Sequence, residues 1–163
     1  MQSISPWFEK VYEKHLADSD VLIHCGDITR EPVLNFFLEQ NHPQFYAVAG
    51  NSDEQAIVDQ LPVKLDLDLD GLKVGVAHGW GGYDGLSTRV AEWFGPGYDL
   101  ICFGHTHVFE WTQYGDTKVL CPGALKYNKH SNYSYGNQAT TIAMVDYEPG
   151  RELTVEMVKV DTE

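Results

Sequence analysis

Basic residues are scarce in this chain. Its 163 residues hold 11 Lys and Arg against 24 Asp and Glu, a formal charge of −13. No excess of cations is left to meet a phosphate backbone or an anionic bilayer, which excludes general nucleic-acid and membrane-surface binding. Long apolar runs are missing too, and none approaches the roughly 18 residues of a membrane span. The chain does not open on a basic stretch followed by an apolar one, so no secretion signal is expected. Cysteine is sparse: Cys25, Cys102 and Cys121 are odd in number and far apart, and none forms a CxxC pair. That pattern excludes a disulfide framework and suits small core residues in a reducing compartment. A cytoplasmic protein is expected.

What is present suits one domain spanning 1–163, since roughly 100–200 residues per domain is usual. With 43% hydrophobic residues and 15 Gly, a turn-rich core is expected. Ser5-Pro6 starts a helix, and Trp7, Phe8, Val11, Tyr12 and Leu16 recur on one face of it. Val21-Leu22-Ile23 and Phe45 to Ala49 read as strands, with a helix from Glu31 to Leu38 between them. Ser52-Asp53-Glu54 reads as the cap of a further helix running to about Gln60. Val63 to Leu69 alternates apolar and polar residues, turns at Asp70-Gly71 and returns through Leu72 to Ala77. After a helix from Ser87 to Phe94, Leu100 to Phe103 is a buried strand, and two hairpins fill the last third. Strands alternating with helices, followed by hairpins, predict an α/β fold of two sheets packed face to face with helices outside.

Four apolar strands each end in a short polar signature: Gly26-Asp27, Gly50-Asn51, His78-Gly79 and Gly104-His105-Thr106-His107. In open α/β sheets the binding crevice lies beyond the carboxyl ends of the strands, so these side chains are expected to meet. Residues i and i+2 of an extended chain share a face, which would bring His105 and His107 to one site. Each residue alone also suits a plainer role, Asp27 and Asn51 in turns and His78 at a strand end. Together a carboxylate, an amide oxygen and imidazoles suit Mn²⁺, Zn²⁺, Fe²⁺ or Co²⁺ rather than Ca²⁺.

His24-Cys25-Gly26-Asp27, Ala49-Gly50-Asn51-Ser52-Asp53, Ala77-His78-Gly79, Gly104-His105-Thr106-His107 and Pro122-Gly123 follow one another in an order that resembles the calcineurin-like metallophosphoesterases, above all their small single-domain prokaryotic phosphodiesterase branch. The resemblance runs from Val21 onward. It implies a four-layer α/β/β/α sandwich of two mixed sheets and hydrolysis of a small phosphate-ester substrate, a diester or a monoester. It also implies two divalent transition-metal ions, Mn²⁺ foremost, with Zn²⁺, Fe²⁺, Co²⁺ or Ni²⁺ as alternatives. Asp27 would then bridge the ions, with Asn51, His78 and His105 on one and His107 on the other. Asp27, Asn51 and His78 would carry the catalytic roles.

Two departures qualify this expectation. Ser52 stands where larger members of that family carry a histidine after Gly-Asn, which favours good leaving groups. The family's first motif, an Asp-x-His closing a first strand, would fall at or before Met1, so that strand is expected to be missing and the second ion to lack ligands. A misplaced gene start, a shortened chain or true degeneration would each produce this. A non-catalytic interaction module, as in the retromer's phosphoesterase-like subunit, and a mononuclear metal protein are the competing expectations. A homo-oligomer paired across exposed strand edges is a further one. Trp80, Tyr83, Tyr127, Tyr133 and Tyr135 lie in Gly- or Asn-rich loops, where they either pack the loops or stack on a base or aryl leaving group. Lys126, Lys129 and His130 either meet a phosphate or are plain surface charge.

Overall fold

The computed structural model of the chain describes residues 4–125 and 140–161. The Ser5 hydroxyl accepts the Trp7 N–H at 3.3 Å, and Pro6 occupies a position where its missing N–H has no helical partner to lose. Helix α1 (Pro6–Val11) continues as one π-helical stretch over Tyr12–Leu16. Trp7, Val11, Tyr12 and Leu16 turn inward from these two segments. They pack with Phe37 of α2 (Glu31–Glu39) and with Ile142 and Val160 from the far end of the chain. The Trp7 indole N–H donates to the Asp161 carbonyl at 2.6 Å, tying the two ends of the described chain together.

Strand β1 (Leu22–His24) pairs in parallel with β2 (Phe45–Ala47), Leu22 opposite Phe45 and His24 opposite Ala47. Five more strands form a mixed sheet in the order β3 (Lys64–Leu69), β4 (Leu72–Ala77), β5 (Leu100–Cys102), β7 (Thr117–Pro122) and β6 (Phe109–Tyr114). β4, β5 and β7 run parallel at its centre, while β3 and β6 return antiparallel at the edges. Asp70 and Gly71 both take positive φ, 53° and 91°, the mirror-image turn that matches strand twist in a tight hairpin. Strands β8 (Thr141–Asp146) and β9 (Thr154–Lys159) form an antiparallel pair.

Side-chain alternation sorts these pieces into layers. From the central sheet, Ala77, Ile101, Phe103, Val119 and Cys121 face α4 (Leu86–Phe94) through Leu86, Val90, Ala91 and Phe94. The opposite face, with Val74, Val76, Leu100, Cys102 and Leu120, meets Cys25 and Val48 as well as Ala143, Val145 and Val155. Ile142 and Met144 of β8 point the other way, toward α1 and α2. Helices, the β1–β2 and β8–β9 ribbons, the five-stranded sheet and α4 therefore stack as an α/β/β/α sandwich. One sheet matches the expected mixed form. The other is present as two separate two-stranded ribbons, and among the described residues no ladder joins them and no strand precedes α1.

The helix expected to be capped by Ser52-Asp53-Glu54 is corrected to a single turn, α3 (Gln55–Val58), with no side-chain cap at Glu54. The two carboxylates bond elsewhere: Glu54 accepts the Glu31 N–H at 3.0 Å, while Asp53 accepts the N–H groups of Thr29 and Gly50 at 2.6 Å each. Loop-to-loop bonds outcompeted the local cap.

Phe103 is completely buried between the central sheet and α4. Phe103→Ala is expected to cost about 3–5 kcal/mol, read by urea or thermal unfolding. Met157→Ala, on the exposed side of β9, should stay within about 0.5 kcal/mol of the parent.

Candidate metal centre

The carboxyl ends of β1, β2, β4 and β5 open onto one crevice between the two β layers. Close approach there depends on glycine. A side chain at Gly26 would put its Cβ 2.6 Å from Nδ1 of His78, and one at Gly50 would run into the Asp27 carboxylate and backbone nitrogen. The loop after β1 is thus pressed against the loops after β2 and β4.

His78 is buried at the middle of this contact. Its Nδ1–H donates to the Cys25 carbonyl at 2.7 Å, which leaves Nε2 with a lone pair in the neutral ring. That Nε2 stands 3.2 Å from Asp27 Oδ2 and 2.9 Å from Asn51 Oδ1. His105 repeats the arrangement with its nitrogens exchanged. Nε2–H donates to the Gly81 carbonyl at 2.8 Å, and Nδ1 faces Asn51 Oδ1 at 3.0 Å. Four acceptors (Asp27 Oδ2, Asn51 Oδ1, His78 Nε2 and His105 Nδ1) are therefore turned toward one another. Lone pairs so arranged repel unless a proton or a cation stands among them. Among the described residues, no three His, Cys, Asp or Glu side chains form a metal-holding group by themselves. The Asn51 amide oxygen is what links Asp27 and His78 to His105.

His107 lies to one side, its Nε2 4.0 Å from Asp27 Oδ2. The expectation that both histidines arrive on one face of an extended chain is corrected. His105 and His107 have φ of 71° and 63°, so each enters from a left-handed turn. Asp27, at φ 59°, is left-handed as well. Such a conformation costs a non-glycine residue about 1–2 kcal/mol, and strain of this kind gathers at functional sites. Among the described residues, half of the six non-glycine residues with positive φ stand around this crevice, which marks it independently of side-chain chemistry.

Charge follows the geometry. Burial opposes ionisation of Asp27, but the facing His107 and His78 imidazoles and the hydrogen bond from the Ser52 N–H (2.8 Å) outweigh it and hold the carboxyl well below the usual range. Burial likewise opposes charge on His78, yet the Asp27 carboxylate and the Cys25 carbonyl outweigh it and raise its pKa. A proton on His78, or a cation among the four acceptors, would relieve them.

Five residues work here without having been singled out as site residues. Asp53 ties the loops that carry Asp27 and Asn51. Ser52 supplies a backbone N–H, Cys25 and Gly81 orient the two imidazoles, and Tyr83 sets its ring edge-on to His105 at 5.1 Å between centroids. Asp53 lies inside the Gly-Asn-Ser-Asp stretch, but a carboxylate ahead of a helix reads equally well as a cap. Tyr127, Tyr133, Tyr135, Lys126, Lys129 and His130 lie outside the described residues.

The chain belongs to the calcineurin-like phosphoesterase superfamily, whose domain model matches residues 6–149. Over 108 residues it is 34% identical to the probable metallophosphoesterase MJ0623 of Methanocaldococcus jannaschii, a match covering 64% of this chain and 53% of that protein. The chain thus spans about half the length of that relative. It is 27% identical over 158 residues to the probable metallophosphoesterase YsnB of Bacillus subtilis, covering 89% of this chain and 85% of that one. Among solved structures, a zinc complex of Vps29 from Entamoeba histolytica superposes with a TM-score of 0.66 at 17% identity, covering 98% of this chain and 92% of that one. At that identity the likeness is one of fold.

Two outcomes are expected from this geometry. Gly50→Ala pushes a methyl group into Asp27 and should weaken divalent-metal binding, read by calorimetry, at least about tenfold, as loss of an outer-shell partner does. His24, whose Nδ1 accepts the Gly26 N–H at 3.2 Å, is pushed down to about 4 by burial, against the attraction of Asp53. An unfolded histidine takes its proton near 6.5, so the stability that neutral His24 contributes is complete above that pH and is lost as pH falls toward 4. Urea unfolding at pH 7.5 and pH 5.0 should differ, through this residue, on the order of 2 kcal/mol, and His24→Phe should remove that part of the difference.

Proposed function

We propose that this protein is a metal-dependent phosphoesterase that hydrolyses phosphate diesters or monoesters with water. The observation that carries the reading is the four-acceptor cluster of Asp27, Asn51, His78 and His105, which suits a divalent transition metal such as Mn²⁺, Zn²⁺, Fe²⁺, Co²⁺ or Ni²⁺. When bound, the metal supplies Lewis acidity to the phosphoryl oxygens and a water of lowered pKa. The residues do the rest. Asp27, kept ionised, holds negative charge where a cation needs it. His78, with Nδ1–H held by the Cys25 carbonyl so that its ring does not turn, would offer Nε2 as a ligand. Asn51 joins the Asp27–His78 pair to His105, and Asp53 holds both loops at that separation.

By family resemblance Asp27 would bridge two ions and His107 would serve the second. His107 and Asp27 are the only side chains assigned to that second site here, and His107 is one-third exposed. This thin set favours a stronger first site and a weaker second one, and it is also the observation in favour of the mononuclear alternative. Ser52 offers no imidazole to protonate a departing alkoxide, so esters with good leaving groups are the preferred substrates. Three free, buried thiols fit a reducing, cytoplasmic setting.

The test is metal content per chain together with hydrolysis of bis(p-nitrophenyl) phosphate after chelation and reloading with Mn²⁺. Metal-dependent turnover with one or two ions bound is expected. Asp27→Ala should remove metal and turnover together, by more than the roughly 10–100-fold that loss of an outer-shell partner costs. Turnover retained in Asp27→Ala, or a loaded protein inert toward every phosphate ester, would defeat the reading, and an inert protein free of metal would point to an interaction module.

A further inference from the structure

A groove of about 470 Å³ is lined by Asn51 and His78, by Val58 and Val63, and by Trp80 and Trp93. Its size suits a small organic group. Its chemistry departs from the rest of the surface, for among the described residues no Asp, Glu, Lys or Arg lines it in a chain of net charge −13. Trp80, Trp93, Val58 and Val63 are 44%, 43%, 41% and 66% exposed, an apolar patch beside a polar centre.

The two indoles stand nearly perpendicular, 5.2 Å between ring centroids and 78° between planes. One ring offers its face where the other offers its edge, a corner that receives a third flat ring in the arrangement aromatic pairs prefer. Neither tryptophan is part of the core. On α4, Val90, Ala91 and Phe94 fill the side toward the sheet while Trp93 turns outward.

The Trp93 ring and the loop that carries Trp80 are nevertheless each held by a cation. The Lys64 ammonium lies 4.4 Å from the Trp93 ring centroid. The Arg89 guanidinium spans the loop that carries Trp80, donating to the carbonyl of Trp80 at 2.7 Å, to that of Asp84 at 2.8 Å and to that of Gly82. A ring and a loop held in this way lose little freedom when a ligand arrives.

We infer that this groove seats the alcohol side of the substrate and selects phosphate esters bearing a flat, uncharged aromatic ring, with Trp80 and Trp93 as specificity-determining residues. The inference rests on the phosphoesterase reading, because a phosphorus atom held at the Asn51–His78 end places one ester oxygen at the mouth of the groove. A nucleobase and a simple aryl group share this chemistry.

Trp80→Ala and Trp93→Ala in the Mn²⁺-loaded protein test it with three diesters: bis(p-nitrophenyl) phosphate, a nucleoside 2′,3′-cyclic phosphate and ringless glycerophosphocholine. Each variant should lower kcat/KM about tenfold through KM for the ringed esters and leave glycerophosphocholine unchanged. The ringed ester on which the two substitutions act more strongly identifies the source of the ring. In parallel, phenylphosphonate binding, followed by tryptophan fluorescence, should weaken about tenfold in both variants, with methylphosphonate binding unaltered. Ringed and ringless esters falling together, or no change in either assay, would overturn the inference while leaving the phosphoesterase reading in place. A protein that hydrolyses none of the three yet binds phenylphosphonate through Trp80 and Trp93 would keep the groove and remove the enzyme.

Discussion

The structure turns on one buried imidazole. His78 leaves the end of β4 in the central sheet, and its two nitrogens reach Cys25 and Asp27 in the loop after β1. Both contacts cross from one β layer to the other. Because Nδ1 is committed to a backbone carbonyl, Nε2 must face the Asp27 carboxylate and the Asn51 amide with a lone pair, a proton or a metal. The glycines at 26, 50 and 104 keep side chains out of the space this contact occupies, and the strained backbones of Asp27 and His105 aim their side chains into it. Packing and chemistry are coupled at this point: whatever separates the layers also opens the four-acceptor cluster.

The same coupling explains why Asp53 matters. A carboxylate that accepts two backbone N–H groups at 2.6 Å from separate loops sets the distance between Asp27 and Asn51 without joining the cluster. Charge-assisted bonds of this kind are about twice as strong as neutral ones, and losing a local helix cap is the smaller penalty. α3 shrinks to one turn as a result. The aromatic groove is likewise held by cations outside it, Lys64 and Arg89, two of the few in an acidic chain.

Much of the fold was legible from residue order. Alternation from Val63 to Leu69 and the Asp70-Gly71 turn determine a hairpin because the side-chain period of a strand is two and a tight hairpin needs positive φ. Ser5-Pro6 determines a helix start by local capping. Gly26-Asp27, Gly50-Asn51, His78-Gly79 and Gly104-His105 each follow an apolar run, and that repeated punctuation was enough to propose that they meet. Less legible were the left-handed backbones of His105 and His107, because nothing in Gly-His-Thr-His distinguishes an extended chain from consecutive turns. The roles of Asp53 and Gly81 were hidden for a related reason, since each acts across a gap in the chain that local pattern does not span.

The sequence by itself determined the element types, the apolar faces and the identity of the ligand-capable residues, all of which depend on interactions within a few positions along the chain. Tertiary structure alone decided which lone pairs face one another, which imidazole nitrogen is free, and that the second β layer is present as two ribbons. It also decided that Trp80 and Trp93, far from each other's local context, form one corner. Those outcomes depend on atoms brought together across 13 positions, for Trp80 and Trp93, to 54, for Asn51 and His105, where the arrangement follows from packing and hydrogen-bond competition rather than from any local preference.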